Sequence, residues 1–157
     1  MVDTKELLKN SVEMKRNSSD IEFDTIEKPR YDLSQKKLSF KGYAKGSQGK
    51  LYKVQVAFYN VDPAGLTPDQ LASGMFPKPQ NLLDHPIKVD CDCMDYTLGG
   101  ALKGNIKNGC ALFTDKALTD YNKKTDRTEK NADNKPYGCK HIVSFINIIL
   151  DGIKEGE

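Results

Sequence analysis

Two short segments constrain this chain more than anything else in it: VDCDCMDY at 89–96 and YGCKHIV at 137–143. Three of the four cysteines and one of the two histidines fall there, as Cys91 with Cys93 and Cys139 with His141, each pair spaced i, i+2. On a β-strand that spacing puts both side chains on one side, about 6.5 to 7 Å apart along the backbone. At a helix start, the first turn can aim both at one point. Three thiolates and an imidazole form a donor set that Zn2+ takes up tetrahedrally, with Zn–S about 2.3 Å and Zn–N about 2.0–2.1 Å. If both pairs serve one ion, the fold must close the 45 residues at 94–138 into a loop and bring a strand end to a helix start. Two other readings use the same residues. Cysteines on a buried strand face can serve as small hydrophobes, with His141 on the surface. A disulfide fits less well, because C-x-C neighbours on a strand cannot readily bond each other and pairing one with Cys139 strands the rest.

A metal clip also suits the composition. Of 157 residues 38% are hydrophobic and 29% charged, with no Trp and a mean hydropathy of −0.61. That describes one domain whose core is small for its length. Lys and Arg number 24 against 22 Asp and Glu, a net charge of +2, too balanced for nucleic-acid binding by electrostatics alone. The charge is uneven: residues 103–140 carry nine basic and five acidic side chains, a bias that is usually a solvated surface and sometimes an anion-binding face. The N-terminal MVDTKELLKNSVEMKRN has no apolar run of secretory length, and no segment approaches the roughly 18 apolar residues of a membrane span. The expected setting is a reducing intracellular compartment, where clustered cysteines point to metal rather than disulfide.

The element pattern places the pairs. Thr4 is expected to cap a weak helix over 5–15, with Leu7, Leu8 and Val12 on one face; residues 1–30 as a whole read as an N-terminal arm that becomes extended before Pro29. Leu38 and Phe40, then Tyr52, Val54, Val56 and Phe58, recur with the period of two that strands require, around the turn-like AKGSQGK at 44–50. This predicts a hairpin over 31–58 with one buried face. Five of the seven prolines fall between 60 and 86, predicting an irregular excursion. Ile87, Val89, Cys91 and Cys93 then share the buried face of a third antiparallel strand at 86–93, with Asp90 and Asp92 expected in solvent. An insertion at 94–138 is expected to bend at LGGALKGN and to be partly helical around 111–122. After His141, the residues Ile142, Phe145, Ile146, Ile149 and Ile153 mark one face of a helix that covers the sheet. The fold class expected is α+β: a small antiparallel sheet with a C-terminal helix, zinc-clipped, spanning 31–153.

The pattern C-x-C, a gap, then C-x-H resembles the SWIM-type zinc fingers. The alternation YKVQVAF upstream, Tyr96 three positions after the second Cys, Gly138 before the third Cys, Lys140 between Cys and His, and the aliphatic helix that follows match as well. The chain departs from the family in its long gap and in Met94, which stands where a Pro would follow the second Cys. That gap and the ending Pro136-Tyr137-Gly138-Cys139-Lys140-His141 are similar to small SWIM-like proteins of tailed bacteriophages. The resemblance implies Zn2+ on Cys91, Cys93, Cys139 and His141, and a virion structural protein, or a cytoplasmic one if the chain is not phage-encoded.

Cys110 is expected to be a core thiol; for His85, which precedes the metal strand, a place behind the ligands or as a substitute for one is the lesser of its readings. Four protein ligands close a zinc site, whereas catalytic zinc keeps an open position; no phosphate-cradling loop is present. The expected function is therefore a non-enzymatic structural or adaptor protein that contacts other proteins, virion subunits among them, within a larger assembly and away from membranes. The alternative is a nucleic-acid-binding finger, in which Lys103, Lys107, Lys123, Lys124, Arg127 and Lys130 would contact phosphates.

Overall fold

The computed structural model describes residues 1–16, 21–98, 100–114 and 133–155. Its frame is an antiparallel sheet. A long hairpin pairs β3 (Lys37–Lys45) with β4 (Leu51–Phe58); β5 (Ile87–Cys91) pairs with the other side of β4. The short strands β1 (Phe23–Ile26) and β2 (Arg30–Asp32) share the outer edge of β3, giving five strands. The expected hairpin and third strand are both present, and the extended stretch before Pro29 supplies an edge strand. Tight turning at 47–49 is possible because Gln48 and Gly49 take positive φ, 61° and 74°.

Register decides which face is the core. Leu38 pairs with Phe58, Phe40 with Val56 and Gly42 with Val54; Val54 in turn pairs with Cys91, Val56 with Val89 and Phe58 with Ile87. Paired residues point to the same side, so these make one continuous buried face that ends, at the β5 terminus, in Cys91. The C-terminal helix α5 (Lys140–Glu155) lies on that face through Ile142, Phe145, Ile146 and Ile149. Gly42 makes the close approach possible. A Cβ there would lie 3.2 Å from both the Phe145 ring and the Phe23 ring, two rings that stack at 5.0 Å between centroids. Ile153 has no described side-chain position.

Several details differ from the sequence expectation. The first helix, α1 (Thr4–Glu13), is capped by Asp3, whose carboxylate accepts the Glu6 N–H at 2.8 Å; Thr4 instead donates its hydroxyl to His85 O. Leu7 is fully buried, so the segment read as an arm docks on the domain. The excursion contains a short helix, α2 (Pro68–Ala72), set by a capping box between Thr67 and Gln70, and a 3-10 turn at Leu82–Asp84.

After β5 come α3 (Met94–Leu98) and α4 (Ala101–Lys107). The expected bend at LGGALKGN is narrower than its motif: Gly100, left-handed at φ 101°, is the bend and the N-cap, and ALKGN opens α4. Residues 111–114 are not helical: Val89 N–H donates to Cys110 O, and Leu112 N–H donates to Val89 O, so this segment bridges the outer edge of β5. The rest of the helix expected at 111–122 lies outside the described residues. Asp90, expected in solvent, is 2% exposed, because that edge of β5 is covered rather than open. Among the described residues no helix is long and apolar enough to cross a membrane.

Candidate metal centre

The four residues singled out by spacing meet. The Sγ atoms of Cys91, Cys93 and Cys139 and a ring nitrogen of His141 all lie within 4.8 Å of one another, and all four residues are buried. His141 Nδ1 is 3.9 Å from both Cys91 Sγ and Cys139 Sγ. A tetrahedron built with zinc bond lengths has edges of about 3.6 to 3.8 Å, so the His141 contacts are already near that spacing and the widest separations would close by up to about 1 Å around an ion. The His141 ring leans on Tyr52 of β4 at 5.1 Å between centroids, and this contact helps fix its orientation.

Two of the cysteines are also helix caps. Cys93 precedes α3, and its Sγ accepts the Tyr96 N–H at 3.4 Å. Cys139 precedes α5; its carbonyl accepts the Val143 N–H at 3.0 Å and its sulfur takes the Ile142 N–H. Each cap occupies donors that helix starts leave unsatisfied, and each N–H pulls its sulfur toward the thiolate, an effect that burial outweighs at Cys139. The arrangement places a helix N-terminus behind one cysteine of each pair. The sequence pointed to this for Cys139 and missed it for Cys93, because the short helix MDYTL has no apolar period to announce it.

The turn carrying the second pair is held from two sides. Asn10 Nδ2 of α1 donates to Pro136 O at 2.9 Å, and Ser11 Oγ accepts the Gly138 N–H at 2.9 Å. Between them, buried Asn105 of α4 accepts the Tyr137 N–H and donates to the Tyr137 C=O, both at 2.9 Å. Asn105 also donates to Tyr96 Oη, and that hydroxyl donates to Val89 O on β5. One amide thus ties the turn before Cys139 to the turn after Cys93. Arg16 adds a two-pronged pair with Asp95, 2.7 and 3.0 Å, binding the end of α1 to α3. Sequence reading assigned Asn10, Ser11, Arg16 and Asn105 no role, since their partners are up to 127 positions away.

Electrostatics leave the cluster short of positive charge. Burial pushes the Cys139 thiol well up, and Cys91 is raised chiefly by its hydrogen bonds with Cys139 and Cys93. Cys93 is held well below the ordinary thiol range, first by the bonds it accepts from Cys139 and Cys91. The three sulfurs thus compete for the same hydrogen bonds in a buried space that disfavours charge. A bound cation is what would make all three thiolates tenable in this buried space.

The other candidates separate from the centre. Cys110 is fully buried in the core outside the cluster, and burial pushes its thiol to about 12. His85 is not a ligand or a support for one: its Nδ1 sits 2.8 Å from Tyr59 O and its Nε2 3.1 Å from Asn81 Oδ1, closing the base of the excursion. Lys103 and Lys107 lie on α4, half-buried and exposed; Lys123, Lys124, Arg127 and Lys130 lie outside the described residues. Asp92 accepts the Lys53 N–H and Asp95 is engaged by Arg16, so neither carboxylate is directed at the cluster. Compared with family models, curated proteins and solved structures, the chain matches none.

Proposed function

We propose that this protein is a zinc-stabilised, non-enzymatic structural or adaptor protein of the SWIM-like kind, which presents surfaces to other proteins, virion subunits of a tailed phage among them. The observation that carries the zinc reading is the convergence of three buried sulfurs and one imidazole nitrogen within 4.8 Å, from a strand end and a helix start 45 residues apart. When bound, the ion supplies four bonds that close this loop, and the free energy of binding becomes free energy of folding. The cluster uses four protein donors, which leaves no open coordination position of the kind hydrolytic zinc requires. That supports a structural role.

Two measurements test the reading. Elemental analysis of purified protein should return one zinc per chain, and the Cys91→Ser and Cys139→Ser variants should lose it. Co-purification from infected or expressing cells should then recover protein partners, with no nucleic acid retained above moderate salt. A metal-free chain that melts at the same temperature as the zinc-treated one would refute the structural role. Binding to single-stranded or duplex DNA with a steep salt dependence would favour the nucleic-acid reading instead.

A further inference from the structure

The sheet face turned away from α5 holds a feature that the metal centre does not use. Register places Arg30 of β2 beside Ser39 of β3, Ser39 beside Ala57 of β4, and Ala57 beside Lys88 of β5. This row has two small side chains in the middle and a cation at each end. Lys37 and Lys41 stand two residues either way from Ser39 on the same strand, and so on the same side. The result is a dish with a cationic rim. A cavity of about 320 Å³ opens over it, floored by Ala57, walled by Leu112 and Phe113, and edged by Lys28, Arg30 and Lys37.

The rim is not neutralised from within. Glu27 is the carboxylate in the lining, and it faces Lys41 at 3.9 Å. Among the described residues, Lys28 and Arg30 take part in no ion pair, while Lys37 stands across from Asp32 and helps hold that carboxyl below its ordinary range. Phe113 remains 41% exposed at the wall. Lys28 and Arg30, with Lys37 shared with Asp32, ring an apolar floor and complement a chain segment in which carboxylates flank one apolar side chain.

We propose that this dish docks an acidic segment of a partner protein, its carboxylates on Lys28, Arg30 and Lys37 and one apolar side chain against Ala57, Leu112 and Phe113. The inference rests on the adaptor reading above and gives its partner a chemistry. The stretch 115–132 of this chain, with five basic and four acidic residues, does not have the acidic character required. A nucleic-acid strand fits less well. It needs a cationic track along its backbone, whereas Lys41 and Lys45 further along β3 already pair with Glu27 and Glu22.

The test uses zinc-loaded full-length protein and fluorescence anisotropy with three labelled probes: the peptide Glu-Asp-Leu-Asp-Glu, its Leu-to-Ser analogue, and a single-stranded oligothymidylate. The parent peptide should bind, the analogue severalfold more weakly, and the Arg30→Gln, Lys37→Gln double variant about tenfold more weakly. Phe113→Ser should reproduce the loss seen with the analogue. Zinc content and melting temperature, read on the same samples, should not change. No peptide binding, equal binding by the double variant, or displacement of the peptide by the oligonucleotide would each overturn the proposal. A chain that binds peptide through Arg30 and Lys37 but carries no zinc would uphold the dish and remove the metal clip. A zinc-loaded chain indifferent to the peptide would do the reverse.

Discussion

Replacing Asn105 by Ala isolates the part of the structure that prepares the centre without touching it. The side chain removed accepts one bond from the Tyr137 N–H and donates one to its C=O, both 2.9 Å, and a third to Tyr96 Oη at 3.1 Å. All three are buried. Stripping a buried backbone group of its bond costs about 1–3 kcal/mol, so losing the two on Tyr137 should cost about 3–5 kcal/mol in the zinc-loaded protein, read as a drop in urea-unfolding free energy. Because the amide also aligns the turn before Cys139 with the turn after Cys93, zinc affinity measured against a competing chelator should fall by about 10–100-fold. Leu38→Ala serves as control: it empties space at the end of the sheet remote from Cys91 and should cost about 2–5 kcal/mol while leaving zinc affinity nearly unchanged. If Asn105→Ala costs less than about 1 kcal/mol, or weakens zinc no more than Leu38→Ala does, the assignment of Asn105 as the tie between the two ligand turns is refuted.

Removing the metal, by chelation or by Cys139→Ser, should lower the melting temperature by about 10 °C: closing a loop of this length is worth about 4 kcal/mol in chain entropy, and a chain of this size shifts about 2–4 °C per kcal/mol. Gly138→Ala should destabilise both the apo and zinc-loaded forms, by about 1–3 kcal/mol in urea melts, because the new Cβ would lie 2.7 Å from Ile142 Cγ2 and push the Cys139 turn off the helix. Stability should also fall in alkali. Burial raises the Cys110 thiol from 9.0 and the Tyr137 phenol from 10.0, each to about 12. The folded state thus favours the protonated forms; their contribution is intact below pH 9.0 and is lost as pH rises towards about 12. Urea midpoints should decline across that window, and Cys110→Ala should flatten the beginning of the decline.

Spacing and period carried much of this protein. Alternation in LSF and YKVQVAF dictates a two-faced hairpin, the run IVSFINII dictates a helix with an apolar stripe, and two i, i+2 pairs of soft ligands dictate a meeting point, because each signal is local and repeats with the geometry of the backbone. What only the tertiary structure decided is everything that depends on a partner far along the chain. Asp90 alternates like a solvent residue yet is buried, since residues 110–112 cover its edge of β5. LGGALKGN reads as a bend, yet among its described residues only Gly100 bends while ALKGN opens α4. Ser11, Asn105 and Arg16 carry no periodic signal, and their roles come from hydrogen bonds to atoms scores of positions away. A polar side chain is silent in one dimension because its value lies in a single directional bond, and the other end of that bond exists only once the chain has folded.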